Sequence, residues 1–150
     1  MPALAIGDPM PPTTLVGDAG PVELRERLGK PLVVYFYPAD ETYGCTIQAC
    51  GFRDRYADFI DAGADVIGIS KDDGLSHAKF KAHHQLPFTL LSDAGSKVAE
   101  AWGVRGRLGL PGRVTFVFDA TGALRYRFDS MIRFSKHIDE ALRVIKSLRA

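Results

Sequence analysis

The chain has 150 residues and a mass of 16.4 kDa, a length typical of one domain. Hydrophobic residues make up 46% of it and charged residues 25%, which excludes a disordered, collagen-like or coiled-coil chain. The 19 Lys and Arg residues nearly balance the 18 Asp and Glu residues, so the formal net charge of +1 gives no indication of a nucleic-acid or anionic-membrane partner. We expect a single domain over residues 1–150.

The N-terminal segment and the cysteines bear on the cellular compartment. Residues 1–8 show no basic segment followed by an apolar stretch, and the longest apolar run, residues 32–38, is far shorter than the ~20 residues of a membrane span. We therefore expect a cytoplasmic protein, in which cysteines stay reduced unless chemistry oxidises them. Cys45 and Cys50 are so close in sequence that a bond between them would make a poor structural staple. The pair calls for a chemical role.

The first part of the chain predicts a small hairpin and a buried strand. Residues 14–16 and 22–24 have the pattern of the hairpin, and residues 24–28 that of a helical turn ended by Gly29. Residues 32–37 are β-branched or aromatic with one leucine, which is typical of a strand buried on both faces.

The middle of the chain predicts a strand–helix–strand unit. Residues 46–61 carry apolar side chains at three- and four-residue steps, which indicates an amphipathic helix, and residues 66–69 form a second buried strand. A further helix is expected over residues 76–84, capped by Ser76 or an adjacent residue, and a short strand over residues 88–91.

The last part predicts a hairpin and a closing helix. A helix is expected from residue 92 to about residue 103, and the glycine-rich stretch 103–112 is a loop. Residues 113–118 and 124–128 form the hairpin, and residues 138–148 form the helix. This order predicts an α/β protein with a thioredoxin-like fold, in which helices flank a central mixed sheet.

The segment over residues 37–54 carries the candidate chemistry. Cys45 lies at or just inside the start of the predicted helix, where unpaired N–H groups favour an anion, and the thiolate is the reactive form of cysteine. Gly44 allows the backbone to approach closely. Thr42 can place its hydroxyl near the sulfur and bond to a bound oxygen, and Pro38 can fold over the pocket and keep water away. Active sites of open α/β sheets lie at this end of the strands.

These residues resemble the peroxidatic motif Pro-x-x-x-Thr-x-x-Cys of the peroxiredoxins, with Pro38, Thr42 and Cys45 at the matching positions. The chain is most similar to the peroxiredoxin Q branch, also called bacterioferritin comigratory proteins. That branch shares Tyr-Phe-Tyr-Pro before the motif and Gly-Cys-Thr-x-x-Ala-Cys-x-x-Arg-Asp at its end, and further matches extend to about residue 145. Tyr43 stands where many members have proline, which affects loop rigidity or substrate preference.

The resemblance implies a thiol peroxidase that acts on hydrogen peroxide and organic hydroperoxides. Cys45 would attack the terminal peroxide oxygen and become a sulfenic acid. Cys50, at the spacing of the branch, would resolve it as an intrachain disulfide, which thioredoxin or a similar dithiol donor would reduce. Arg113 would steady the thiolate and polarise the peroxide. The family implies no metal or organic cofactor, and a monomer or weak homodimer.

Other interpretations are open for the same residues. A thioredoxin-like disulfide oxidoreductase needs Cys-x-x-Cys, whereas four residues separate these cysteines. A redox sensor or holdase that passes oxidation to a partner remains an alternative or an added role. Cys45 and Cys50 could be inert core thiols, Thr42 a helix cap and Arg113 a solvated charge at a strand end.

The histidines are expected to be structural. Adjacent His83 and His84 should point to different sides of a helix and lie on the surface, without a metal site. His137 is expected to start a helix or pack in the core. Glu41 could orient Arg113 or face solvent.

Overall fold

The computed structural model describes residues 4–17, 20–104 and 112–148. The strands are β1 (Thr14–Gly17), β2 (Gly20–Glu23), β3 (Leu32–Phe36), β4 (Asp65–Ser70), β5 (Thr89–Ser92), β6 (Val114–Phe118) and β7 (Leu124–Asp129). The α-helices are α1 (Tyr43–Asp61), α2 (Gly74–His84), α3 (Lys97–Ala101) and α4 (Phe134–Ser147). Short 3-10 helices cover Leu24–Arg27 and Ala94–Ser96. None of the helices in these ranges is long and apolar enough to cross a membrane.

The strands form one mixed sheet in the order β2-β1-β5-β4-β3-β6-β7. The central strands β3, β4 and β5 are parallel, whereas β6 pairs antiparallel with β3, and β7 and β1 extend the two sides in antiparallel pairing. The predicted α/β class and thioredoxin-like fold are confirmed. Both predicted hairpins are also present, although the turn at residues 18–19 lies outside the described residues.

Side chains that alternate along β3 build two separate cores on opposite faces of the sheet. Val33 and Tyr35 point to the face covered by α1 and α4, where Tyr35 stacks on Phe52 with ring centroids 4.5 Å apart. Phe36 points to the other face and packs edge-on against Trp102 at 5.3 Å. Because both faces are covered, β3 is apolar throughout, and its carboxyl end delivers the chain to the start of α1.

Three helix starts differ from the predicted ones. α4 begins at Phe134, four residues before the predicted start at residue 138. α1 begins at Tyr43 rather than at residue 46, since the Thr42 carbonyl already accepts from the Thr46 amide at 2.8 Å. α2 is capped by Asp73, whose carboxylate accepts from the Ser76 amide at 2.8 Å, so the expectation that Ser76 or an adjacent residue caps it is wrong. Asp73 is the better cap because its side chain reaches the amide three residues ahead.

The single helix expected over residues 92–103 is two short pieces. Gly95 and Ser96 adopt left-handed backbone conformations, with φ of 72° and 55°, and the helical hydrogen bonds cannot continue through them. The Asp93 carboxylate binds the amides of Val98 and Ala99 beyond this break. The predicted glycine-rich loop falls largely on residues 105–111, which lie outside the described residues.

Candidate active site

Cys45 occupies the first turn of α1, just beyond the carboxyl end of β3, and is 1% exposed. The first four amides of a helix have no intrahelical partner and carry a partial positive charge. Cys45 therefore lies beside these amides, at the helix start where the sequence places it. The Cys45 thiol is free, and so is that of Cys50, which lies on the same helix and is partly buried.

Thr42 and Pro38 lie on the segment that joins β3 to α1. The Thr42 backbone is extended and stands at the N-cap position, but its side chain makes no cap hydrogen bond. Its hydroxyl donates instead to the Ala39 carbonyl at 2.8 Å, which leaves the oxygen lone pairs available as acceptors. Pro38 is buried, consistent with a residue that shields the pocket from water. The Pro38, Thr42 and Cys45 positions thus lie together at the start of α1.

Arg113 precedes β6, is 4% exposed and is fixed on several sides. Its Nη1 donates to Gln48 Oε1 at 2.6 Å, its Nε donates to the Met131 carbonyl at 3.1 Å, and its guanidinium lies 4.9 Å from the ring centre of Phe134. The solvated role considered for Arg113 is therefore excluded by its burial. These contacts hold the guanidinium, with its planar set of donors, in a fixed position.

Gly44 brings the arginine against the first turn of α1. A Cβ atom on this residue would lie 2.6 Å from Phe134 Cζ, closer than real Cβ atoms approach, and 3.0 Å from Arg113 Nη2, a tight contact. Glycine therefore lets the Phe134 ring, with Arg113 beside it, close on the residue next to Cys45. Tyr43 is 81% exposed at the rim, and its ring packs edge-on against Phe134 at 6.5 Å.

Gln48 is a site residue that sequence reasoning missed. It lies one helical turn after Cys45, so both side chains are on one face of α1, and it is fully buried. Its Oε1 accepts from Arg113, while its Nε2 is a buried donor without a partner among the described residues. An unpaired buried donor of this kind is able to bond to an oxygen atom of a ligand. The spacing of three residues between Cys45 and Gln48, which places both on one face of a helix, is the sequence feature that could have revealed Gln48.

Asp40 anchors the segment before α1 and was not expected to do so. Its carboxylate is 2.8 Å from His77 Nδ1 and accepts from the hydroxyls of Tyr37 at 2.6 Å and Ser76 at 2.8 Å. Burial by itself raises the pKa of Asp40, but the hydrogen bonds with His77 and Tyr37 outweigh it and hold the pKa below its usual value. The ionised carboxylate therefore ties this segment to α2.

Glu41 neither orients Arg113 nor simply faces solvent. One carboxylate oxygen is 2.8 Å from His83 Nδ1 and the other is 2.8 Å from His84 Nε2. The expectation that adjacent histidines point to different sides of α2 is wrong, because the two rings use different nitrogens to reach one carboxylate from the last helical turn. His137, by contrast, is fully buried as a packing residue, as predicted.

The AhpC/TSA family model matches residues 6–127. A chloroplastic peroxiredoxin Q of Sedum lineare is 51% identical over 146 residues, which cover 95% of this chain and 78% of that protein. Several other plant peroxiredoxin Q proteins are longer, and the chain spans 61–67% of their length.

Two solved structures are similar along most of the chain. The peroxidoxin BcpB of Mycobacterium tuberculosis has a TM-score of 0.90 and 37% identity, and the match covers 98% of this chain and 99% of that one. A Xanthomonas campestris bacterioferritin comigratory protein, described in terms of its alkyl peroxide reduction activity, has a TM-score of 0.82 and 30% identity, with 90% of each chain covered.

The comparisons overturn the expected cytoplasmic location. The similar plant proteins are named chloroplastic, and this finding contradicts the expectation. The expectation rested on the lack of a secretory pattern in residues 1–8 and of a membrane-spanning run, and neither observation identifies a compartment. The family assignment itself stands on the match over residues 6–127 and on more than 50% identity to curated relatives. The chain therefore belongs to the AhpC/TSA family and, within it, to peroxiredoxin Q, a branch of thiol-dependent peroxidases.

Proposed function

We propose that this chain reduces hydrogen peroxide and organic hydroperoxides, with Cys45 as the attacking thiolate. The observation that carries the proposal is the buried Cys45 in the first turn of α1, with Arg113 fixed against the same turn through Gly44. The alkyl peroxide activity of the similar Xanthomonas protein supports the substrate class. Residues 1–150 act as a single domain in this proposal.

The first step oxidises sulfur and cleaves the peroxide. The Cys45 thiolate attacks the terminal oxygen, an S–O bond forms as the O–O bond breaks, and the departing alkoxide or hydroxide takes a proton and leaves as alcohol or water. Arg113 stabilises the charge that passes from sulfur to oxygen, because charge-assisted hydrogen bonds strengthen as charge develops on the acceptor. Thr42 and Gln48 orient the peroxide oxygens, and Pro38 keeps water away.

The second step forms a disulfide and releases water. The Cys50 sulfur attacks the Cys45 sulfenic sulfur, the S–O bond breaks, and the leaving oxygen is protonated. Two electrons from thioredoxin or a similar dithiol donor then reduce the disulfide to the starting thiols. A monomer or weak homodimer is sufficient for this cycle, since both sulfurs come from one chain.

Peroxide consumption coupled to thioredoxin and its reductase tests the assignment with two matched variants. We expect Cys45→Ser to abolish turnover, because no other described thiol lies at a helix start. Cys50→Ser should consume one equivalent of peroxide per chain and then stop, unless an external thiol completes the cycle. Continued turnover by Cys45→Ser contradicts the proposal. Full thioredoxin-dependent turnover by Cys50→Ser contradicts the intrachain disulfide only.

A further inference from the structure

Glu41, His83 and His84 form a compact cluster outside the peroxidatic pocket. His83 Nδ1 and His84 Nε2 each lie 2.8 Å from a different oxygen of the Glu41 carboxylate. One ligand atom from each residue lies within 4.8 Å of the other two, so the three atoms surround a common point. Neither the peroxidase reaction nor the family resemblance uses this cluster.

The donor set of the cluster suits a transition metal. Two imidazole nitrogens and one carboxylate oxygen are the ligands that zinc and neighbouring divalent ions take in open sites, with a fourth position left to water. Magnesium and calcium prefer all-oxygen surroundings and are poorly served by two imidazoles. A metal ion binds an unprotonated ring nitrogen, so it would take the place of the two contacts that now join the histidines to the carboxylate.

The surroundings hold the ligands in place before an ion arrives. The His84 ring packs edge-on against Phe80 at 5.2 Å, and the His84 carbonyl accepts from Arg53 Nη1 at 2.8 Å. Both histidines are in the last turn of α2, where the helix dipole favours a cation. Glu41 follows Asp40, whose carboxylate is itself bound to α2 through Ser76. The three side chains therefore lose little further conformational freedom when an ion binds.

We propose that Glu41, His83 and His84 bind one divalent transition-metal ion, with zinc as the representative. Glu41 lies on the segment between β3 and Cys45, so the ion would fasten this segment to the end of α2. The site is exposed enough to exchange ions, since the side chains of His83 and Glu41 are 65% and 45% exposed.

Calorimetric titration with Zn²⁺ tests the site in a Cys45→Ser/Cys50→Ser background, in which no thiolate competes for the ion. The protein for this titration is prepared without a histidine tag, since such a tag would itself bind zinc. We expect one Zn²⁺ per chain in the micromolar range, and at least tenfold weaker binding after His83→Ala or Glu41→Gln. Glu100→Gln, a change of an exposed carboxylate on α3, is the matched control and should bind as the background does. Mg²⁺ should give no comparable binding.

A second readout reports the geometry of the proposed site. Hydrogen exchange in the same thiol-free background should slow at residues 39–44 when Zn²⁺ is added, and this change should vanish in Glu41→Gln. Zn²⁺ affinities that are equal in Glu41→Gln, His83→Ala and Glu100→Gln would overturn the proposal, as would the lack of one-to-one binding at 100 µM metal. His83 is largely exposed, so loss of binding in its variant does not arise from an altered core.

Discussion

Arg113 shows how much of the site depends on the shape of one side chain. A lysine at this position would keep the positive charge, but it has no planar group to donate to Gln48 and the Met131 carbonyl while stacking on Phe134. Since Gln48 is buried, the loss would also leave its Oε1 without a donor. A charge-assisted hydrogen bond contributes about 1.5–3 kcal/mol, which corresponds to a rate factor of about 10 to 100.

We therefore expect Arg113→Lys to lower the second-order rate constant for oxidation of Cys45 by hydrogen peroxide by about 10- to 100-fold at pH 7. Competition kinetics against a reference peroxidase measure this constant directly. Arg125→Lys is the control, because Arg125 is a half-exposed residue on β7 that pairs with Asp119 at the surface. Equal rate constants for Arg113→Lys and the parent protein would show that only the charge matters.

For single residues, local spacing in the sequence predicted the members of the motif but could not predict contacts between distant parts of the chain. Pro38, Thr42 and Cys45 are within eight positions of one another, so a sequence motif reveals them. The partners of Asp40 and Glu41 are about forty positions away on α2, at His77 and the two adjacent histidines. Such contacts depend on how α2 packs against the segment that follows β3, which no local pattern contains.

Helix α1 holds both cysteines in one continuous element, and this creates a geometric obstacle. Five residues of ideal helix separate the Cα atoms of Cys45 and Cys50 by about 8.6 Å and rotate the side chains by about 140°. A disulfide needs Cα atoms closer than about 7 Å and converging Cβ vectors. The bond therefore requires the first turns of α1 to unwind. Gly51 weakens the helix at the end of this segment, by about 1 kcal/mol relative to alanine.

We expect the amides of residues 46–53 to exchange with solvent faster in the disulfide form than in the reduced form. Hydrogen exchange followed by mass spectrometry measures the difference after treatment with one equivalent of peroxide. Cys50→Ser treated in the same way is the matched control, because its Cys45 is oxidised without forming the bond and the helix should stay protected. Equal protection of this segment in the reduced and disulfide forms would contradict the unwinding.

Elements with a strong buried pattern were predictable, and their ends were not. The strands β3, β4 and β6 consist almost wholly of buried residues, so their apolar runs identify them. The predicted start of α1 is three residues too late because Tyr43 and Gly44 do not belong to the apolar pattern that indicates the helix. The break at Gly95 and Ser96 was missed because Ser96 adopts a left-handed conformation that is uncommon outside glycine.

Across the whole molecule, His137 couples the pocket to the closing helix. Its Nε2 is 2.7 Å from the Ser130 carbonyl, which only accepts, so this nitrogen carries the proton and donates. Its Nδ1 faces the Thr115 hydroxyl at 2.8 Å, on the strand that follows Arg113. The segment between Ser130 and α4 provides both the Met131 carbonyl and the Phe134 ring that hold the arginine. A charge on His137 would therefore disturb the segment whose Met131 carbonyl and Phe134 ring hold Arg113 in place.

Burial lowers the pKa of His137 from its ordinary 6.5 to about 4, with the positive charge of Arg113 acting in the same direction and the hydrogen bond to the Ser130 carbonyl opposing both. The unfolded chain thus binds more protons than the folded one between these values, and stability falls as the pH drops from about 6.5 to 4. At pH 4, His137 accounts for a loss of roughly 3 kcal/mol in the free energy of unfolding. Carboxylates with a lowered pKa, such as Asp40, lose their stabilisation only at lower pH, below the usual carboxyl pKa of 3.8.

We expect His137→Gln to make the free energy of unfolding depend less on pH. Glutamine keeps a donor for the Ser130 carbonyl but cannot gain a charge. Urea unfolding at pH 4.5, 5.5 and 7.0 gives the free energy of unfolding for both proteins. The variant should be less stable than the parent at pH 7.0, because glutamine fills the buried space less well. The difference between the two free energies of unfolding should narrow towards pH 4.5. At that pH the imidazole of the parent is protonated in the unfolded chain and must lose its proton to be buried, so the parent loses stability that the variant keeps. A constant difference across the three pH values would show that protonation of His137 does not control the acid stability of this fold.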